Sequence, residues 1–434
     1  MTVRGAALLG VGAMVGAGIF ALLGEAGAVA GAATWLSFLV AGIVSLLIGY
    51  NVVKLGVRYP SSGGLFEYLL QGFGNGRLLG IAAWLGYMSA VLIVCSMCAV
   101  SFGDYAVSLF VSDGGADWWD NVFSSAIVVA MAFVVVTGPQ LVAKAQTLIV
   151  FVMVGILAVF VAVTLPSIDL DMLAFSEYPS VSDIVASVAL TFFAFLGFSV
   201  ITFAAGDMRN PANDLPKAMN RALGVTTLVY VLVAVSVFGT LTVAEVVAYG
   251  PTAIAEAGRP ALGDAGFTMI AIAAMVGMAG SVVATLYASS GLTRMLSDVG
   301  QFPPFFGPAS RLGAKGGVVI SAAVVLVVAN TVDLSAIASV GSACSLAIFV
   351  LVGLAGYRVR RETGAQGWLI LVGVAVTLVV LAFFAVDTVR NAPQTFTAIV
   401  VVGALAVILD LVWKRVRGEP PADLAAPAAP ATQE

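Results

Sequence analysis

Residues 10–24 read GVGAMVGAGIFALLG, five glycines in fifteen positions inside an apolar run long enough to cross a bilayer. Glycine weakens helices, and a segment in lipid must satisfy its backbone internally, so a plain membrane helix is better served by other residues. Three readings compete. Small residues four apart let a helix pack closely on a neighbour. A dinucleotide-binding loop would need a preceding strand and a βαβ unit, and the sequence pattern offers neither. The third is a helix that breaks at Gly16-Ala17-Gly18, near the bilayer midplane.

The rest of the chain sets the frame. Its 434 residues are 61% hydrophobic and 10% charged, with a mean hydropathy of +1.09, whereas a soluble chain carries about 25% charged residues. Twelve apolar spans recur at about 5–29, 32–53, 78–103, 121–137, 145–165, 184–206, 223–243, 266–293, 317–332, 335–357, 367–387 and 394–413. They match the ~20 residues that a ~30 Å hydrocarbon core requires. The loops between them are short and make no sizeable soluble domain.

Basic residues test this map, because short cytoplasmic loops collect Lys and Arg. With the N-terminus inside, 17 of them fall on the cytoplasmic side and only Arg259 and Arg390 outside. Multi-pass insertion in the cytoplasmic membrane with both termini inside is therefore expected. Asp104, Asp113, Asp117, Asp120, Asp169, Asp171, Glu177 and Asp183 lean to the outer loops, as a solvated outer face would. Arg4, the first apolar run and AVAGA at 28–32 mimic a signal peptide, but eleven further spans follow and the segment is expected to be retained. Cys95, Cys98 and Cys344 all lie within spans, an odd set that suits packing rather than disulfides. The Pro/Ala-rich tail 418–434 has nothing to bury and is expected to be disordered.

A second interruption raises the third reading of the glycines. Phe195-Leu196-Gly197-Phe198-Ser199 falls mid-membrane in helix 6, about 180 residues after the first. Each break lies in the first helix of a five-helix block, and an odd block length makes helices 1 and 6 run in opposite directions. Paired broken segments in inverted halves point to a transporter's binding site. The half of helix 1 that starts at Gly18 would turn free N–H groups and a positive dipole end to the midplane, suited to a carboxylate. The first half of helix 6 would end in free carbonyls near Phe193, Ala194 and Leu196, suited to an ammonium. A zwitterion fits both.

These strings resemble the amino acid–polyamine–organocation (APC) superfamily. The resemblance rests on GVGAMVGAGIF in helix 1, TFFAFLGFSVITFAAGDMRNPANDLPKAM at 191–219, LGVRYPSSGGLFEYL at 55–69 and RMLSDVGQFP at 294–303. It implies an all-α integral membrane protein of twelve transmembrane helices: an inverted five-plus-five repeat with helices 1 and 6 broken, plus two extra C-terminal helices. On this chain the repeats would be 1–165 and 166–357, with helices 11 and 12 in 358–417. The implied activity is a secondary transporter, a permease working by alternating access, and not an enzyme. The implied substrate site places the carboxylate on the backbone of Gly16, Ala17 and Gly18. The amino group falls to the carbonyls of Phe193, Ala194 and Leu196, beside Gly197, with Phe193 as the aromatic gate.

Coupling departs from the family pattern. Some proton-coupled members carry a lysine in mid-helix 5, where this chain has Met153, and Lys144 lies too near the cytoplasmic end. Histidine is absent, so the usual near-neutral proton carrier is missing. Ser281, Thr285 and Ser289 share one face of helix 8 and could join helix 1 carbonyls around sodium, though hydroxyls in membrane helices more often bond back to their own backbone. Uniport or exchange needs no coupling residue and fits at least as well. Proton or sodium coupling stays open, and no metal or cofactor is expected. Glu25 and Asp104 lie nearest the outer mouth. Asp207 and Asp214 sit among Arg209, Lys217 and Arg221, where ion pairs could close an inner gate.

No acidic side chain falls at midplane depth in helices 3, 6, 8 or 10, and Phe192, Phe193, Leu196, Phe198 and Met14 would line an apolar pocket. A neutral amino acid is therefore expected over a cationic amino acid or a polyamine. The partners are this solute and the lipid bilayer, with no nucleic acid, and the oligomeric state is not fixed. A membrane enzyme would need convergent His, Cys, Asp or Glu groups. A nutrient sensor would need a signalling surface beyond a 17-residue tail, and a channel would need polar rows along a pore.

Overall fold

A computed structural model of the chain describes residues 2–61, 63–111, 118–203, 205, 208–307, 313–332 and 334–417. The expected disordered tail and the charges Asp113, Asp117, Asp207 and Arg311 lie outside the described residues.

The regular structure among the described residues is helical, as a backbone immersed in lipid requires. Nine helical runs there are long and apolar enough to cross a membrane, and ten when the bent pair Val181–Ala194 and Leu196–Phe203 counts as one span. One of the nine, Ile19–Arg58, reverses at Gly31, whose φ of 51° is a conformation that glycine adopts without strain. It therefore contains the second part of helix 1, Ile19–Ala30, and all of helix 2, Thr34–Arg58. The shorter apolar helices Val3–Ala17 and Gly316–Ala329 supply the first part of helix 1 and helix 9. The twelve helices read from the sequence follow from that division.

Two rims of contacts show the alternation of direction. At the basic end, Asn75 Nδ2 donates to the Val299 carbonyl at 2.9 Å, Trp413 Nε1 to the Gly300 carbonyl at 3.0 Å, and Tyr59 to Glu362 at 2.7 Å. These join the ends of helices 2, 8, 10 and 12 to the start of helix 3. Buried Asp410, paired with Lys414 at 2.9 Å, anchors helix 12 in the same rim. Partial burial, then the Glu362 carboxylate, push the Tyr59 phenol up to about 12. At the opposite end, Trp35 Nε1 donates to Tyr178 at 2.8 Å, Ser187 to the Ala26 carbonyl at 3.3 Å, and Asn330 to Ser125 at 3.1 Å. Those bonds join the end of helix 1 and starts of helices 2, 4 and 6 with the end of helix 9.

Helix 1 packs on helices 5, 7 and 8, while helix 6 packs on helices 2, 10 and 11. Both lie inside the bundle, and the lipid-facing surface falls mainly to helices 4, 5, 11 and 12, which expose Val129, Phe151, Leu378 and Ile408. The segments read as loops are more ordered than expected. Leu65–Phe73 forms a helix after helix 2, and Val243–Tyr249, Ala253–Glu256 and Arg259–Leu262 form short helices between helices 7 and 8.

Candidate functional site

Helix 6 is interrupted as its sequence suggested. The α-helix Val181–Ala194 gives way to a 3-10 turn, Leu196–Ser199, and the axis bends by 41°. The carbonyls released at a break in lipid need partners. The Phe195 N–H serves those of Phe192 and Phe193, the Ser199 hydroxyl serves Leu196 at 2.9 Å, and the Tyr230 hydroxyl of helix 7 serves Ala194 at 3.0 Å. Tyr230 is fully buried.

Helix 1 is interrupted more narrowly than expected, at a single residue. Gly16 and Ala17 remain in the α-helix Val3–Ala17, and only Gly18, at φ −86° and ψ −73°, separates it from Ile19–Ala30. Even there the Gly18 N–H reaches the Met14 carbonyl at 2.7 Å, and the Leu22 N–H reaches Gly18 at 3.0 Å. The glycines are occupied by neighbours instead. A methyl group at Gly12 would strike Gln146 of helix 5, and one at Gly16 would strike the Gly277 backbone of helix 8. At Gly18 it would strike the Tyr230 hydroxyl and the Ala194 carbonyl. Glycine here lets four helices close on one rod, which is the close-packing reading of the pattern. Gly197 does the same from helix 6, lying against the Ala13–Met14 backbone.

Where the two helices meet there is a narrow chamber of about 50 Å³. Ala13 and Ala17 of helix 1 line it, with Phe193, Ala194, Leu196, Gly197, Ser199 and Val200 of helix 6. Helices 3, 8 and 10 complete the wall through Ser89, Val94, Met97, Thr285, Ser345 and Phe349. Phe193, 3% exposed, roofs it against Gly341 of helix 10 and Ile93 of helix 3, which share one contact point. Leu65 and Phe66 of the helix after helix 2, with Phe203, close the side toward the basic end. At the opposite end, Gly24 meets the Gly250 carbonyl, and buried Ala253, Ile254 and Ala255 cover the helix ends.

Of the residues singled out in the sequence, the chamber collects Ala17, Phe193, Ala194, Leu196, Gly197 and Thr285 but not Gly16 or Gly18. Phe192 and Phe198 pack edge-on and tilted against Phe349 behind the wall, and Met14 is buried in the core. Ser281 donates to the Gly12 and Ala13 carbonyls at 3.2 and 3.4 Å, and Ser289 bonds back to Leu286 at 2.7 Å. The three helix 8 hydroxyls therefore do not converge on one point. Met153 is fully buried with its sulfur against Gly277, and Lys144 is exposed. The Asp207 half of the expected inner ion-pair cluster lies outside the described residues. Tyr230 was missed in the sequence, where a tyrosine amid TTLVYVLVAV gives no signal that its hydroxyl reaches a carbonyl 36 residues earlier.

The profile of the amino acid permease family matches residues 2–408. The chain is 28% identical to the inner membrane transport protein YbaT of Escherichia coli (strain K12), across 94% of both chains. It is 25% identical to the methylthioribose transporter of Bacillus subtilis (strain 168) over 82% of this chain and 80% of that one. Against the serine/threonine exchanger SteT of Bacillus subtilis (strain 168) the identity is 26%, over 62% and 61%. A membrane-spanning helical bundle with a chamber at its broken helix, matched almost end to end by this profile, is a transporter rather than an enzyme, and the chain belongs to the amino acid permease family.

Proposed function

We propose that this protein carries a small neutral amino acid across the cytoplasmic membrane by alternating access, with both termini in the cytoplasm. The observation that carries this reading is the chamber itself: it joins the two central helices, and no charged side chain stands among its described lining residues. The substrate ammonium meets the helix 6 carbonyls of Ala194 and Leu196, each of which keeps a lone pair beyond its present bond. The carboxylate lies toward Ala17, at the positive end of the helix that resumes at Ile19. Phe193 is the gate on one side, and Phe66 and Phe203 the closure on the other. Gly16 and Gly18 act on the substrate indirectly, by letting helices 6, 7 and 8 approach helix 1.

The coupling reading is exchange or uniport. Met153 fills the place where a lysine would act, and the hydroxyls of Ser281 and Ser289 are committed to carbonyls. Uptake of labelled neutral amino acids into proteoliposomes is the test, with pH and sodium gradients imposed separately. Uptake indifferent to both gradients, and accelerated by amino acid inside the vesicle, is the expected outcome. Uptake of lysine or a polyamine in preference to every neutral amino acid would overturn the substrate class, and a sodium requirement would overturn the coupling.

A further inference from the structure

The hydroxyls of the chamber wall are not equivalent. Ser199 bonds to Leu196 at 2.9 Å, and Ser89 leans back on Gly86 at 3.4 Å. Serines inside membrane helices normally bond back to their own helix. Ser342, three residues before Ser345, does so to Ala338 at 2.8 Å. Ser345 does not. It is 1% exposed, and its hydroxyl has no partner among the described residues. Of the buried serine and threonine hydroxyls without a partner among the described residues, Ser345 alone lines the chamber.

Its position is informative. Gly341, which carries the contact with Phe193, lies one helical turn before Ser345 on the same face of helix 10. Ser345 therefore stands one turn beneath the roof and lines the same chamber as Ala194 and Leu196 of the helix 6 break. Around it the wall is apolar: Val94, Met97, Ile348 and Phe349. The chamber is also small. At about 10–15 Å³ per water-sized body, 50 Å³ holds roughly four such bodies. The whole solute, head groups included, must fit this space, which favours the shortest side chains and excludes an aromatic one.

We propose that Ser345 is a specificity-determining residue, which selects a short side chain bearing a hydroxyl, as in L-serine, over its apolar isostere. This rests on the chamber being the substrate site. A hydroxyl that meets Ser345 restores a bond which a buried polar group otherwise lacks, whereas a methyl group in the same place leaves Ser345 unpaired. Sites built to receive a hydroxyl discriminate strongly against analogues without one, and apolar pockets do not.

The experiment is competition against labelled L-alanine uptake in proteoliposomes of the full chain, with unlabelled L-serine, L-alanine, L-threonine and L-valine. L-serine is expected to compete at least tenfold better than L-alanine, and L-threonine better than L-valine. In Ser345→Ala the serine-to-alanine ratio is expected to fall to about one, whereas in Ser342→Ala it is expected to hold. Ser345→Cys, with its weaker hydrogen bonding, serves where Ser345→Ala fails to insert, and its ratio is expected to fall at least threefold. A wild-type ratio near one with alanine uptake intact would overturn the role of Ser345 alone, as would a ratio unchanged in either variant. Failure of every neutral amino acid to be taken up or to compete would instead remove the site reading beneath it.

Discussion

The two central helices were expected to break alike, and they do not. Helix 1 holds a run of glycines and is interrupted at a single residue, keeping both backbone bonds of Gly18. Helix 6 has one glycine at its interruption, yet it passes into a 3-10 turn and bends by 41°. The difference teaches that glycine permits a break without causing one. What helix 6 has is a set of partners for the released carbonyls, Tyr230, Ser199 and the Phe195 N–H. What helix 1 has is neighbours pressed onto its glycines, which confine the interruption to one residue because each approach is backbone to backbone or backbone to side chain. In lipid, where apolar burial drives little association, such close packing is what holds helices together.

The comparison breaks most sharply at Gly16. Gly16→Leu would force helix 1 off the Gly277 backbone, and overpacking costs about 1–3 kcal/mol, occasionally more. Loss of monodisperse folded protein and of transport is expected, against a tolerated Gly155→Leu on helix 5, where nothing lies within 4 Å. Folded, fully active Gly16→Leu would return helix 1 to the unwound form. Next comes Gly197→Ala, whose methyl meets the Ala13–Met14 backbone. Here transport is expected to fall more than tenfold with a smaller loss of thermal stability, since the turn is displaced while helix 1 is kept.

Tyr230→Phe sharpens the role of partners. It strips the Ala194 carbonyl of its donor, and a buried group left without its bond costs about 1–3 kcal/mol. A lowered melting temperature is expected, together with weaker substrate affinity; neither change would mean that the break sustains itself. Phe193→Ala should show in occlusion, as faster substrate release and a raised KM in counterflow. Unchanged kinetics would take Phe193 out of the gate.

The smallest effect sets a baseline far from both breaks. The Tyr59 phenol bonds to Glu362, and its value rises from 10.0 to about 12. The sign follows: a raised value favours the protonated form in the folded state, so its stabilisation is complete below pH 10 and is lost as pH rises towards 12. The pair is largely exposed and its contribution correspondingly small. Tyr59→Phe is expected to shift the melting temperature by no more than about 2 °C between pH 6 and 9.

Part of this protein was already fixed by one-dimensional information. Lipid demands long apolar helices, and charge asymmetry orders them, so twelve helices in alternating directions could be read from hydropathy and the positions of Lys and Arg alone. Phe193, Ala194, Leu196 and Gly197 were legible too, because an interruption leaves its mark in local composition. Gly16 and Gly18 were read as substrate contacts, and the fold presses helices 6, 7 and 8 onto them, which composition could not show, since a glycine codes equally for an unwound turn and for a neighbour's approach. Tyr230 and Ser345 were invisible for the same reason: a hydroxyl in an apolar helix has no function until tertiary structure puts a carbonyl beside it or leaves it facing a chamber without one.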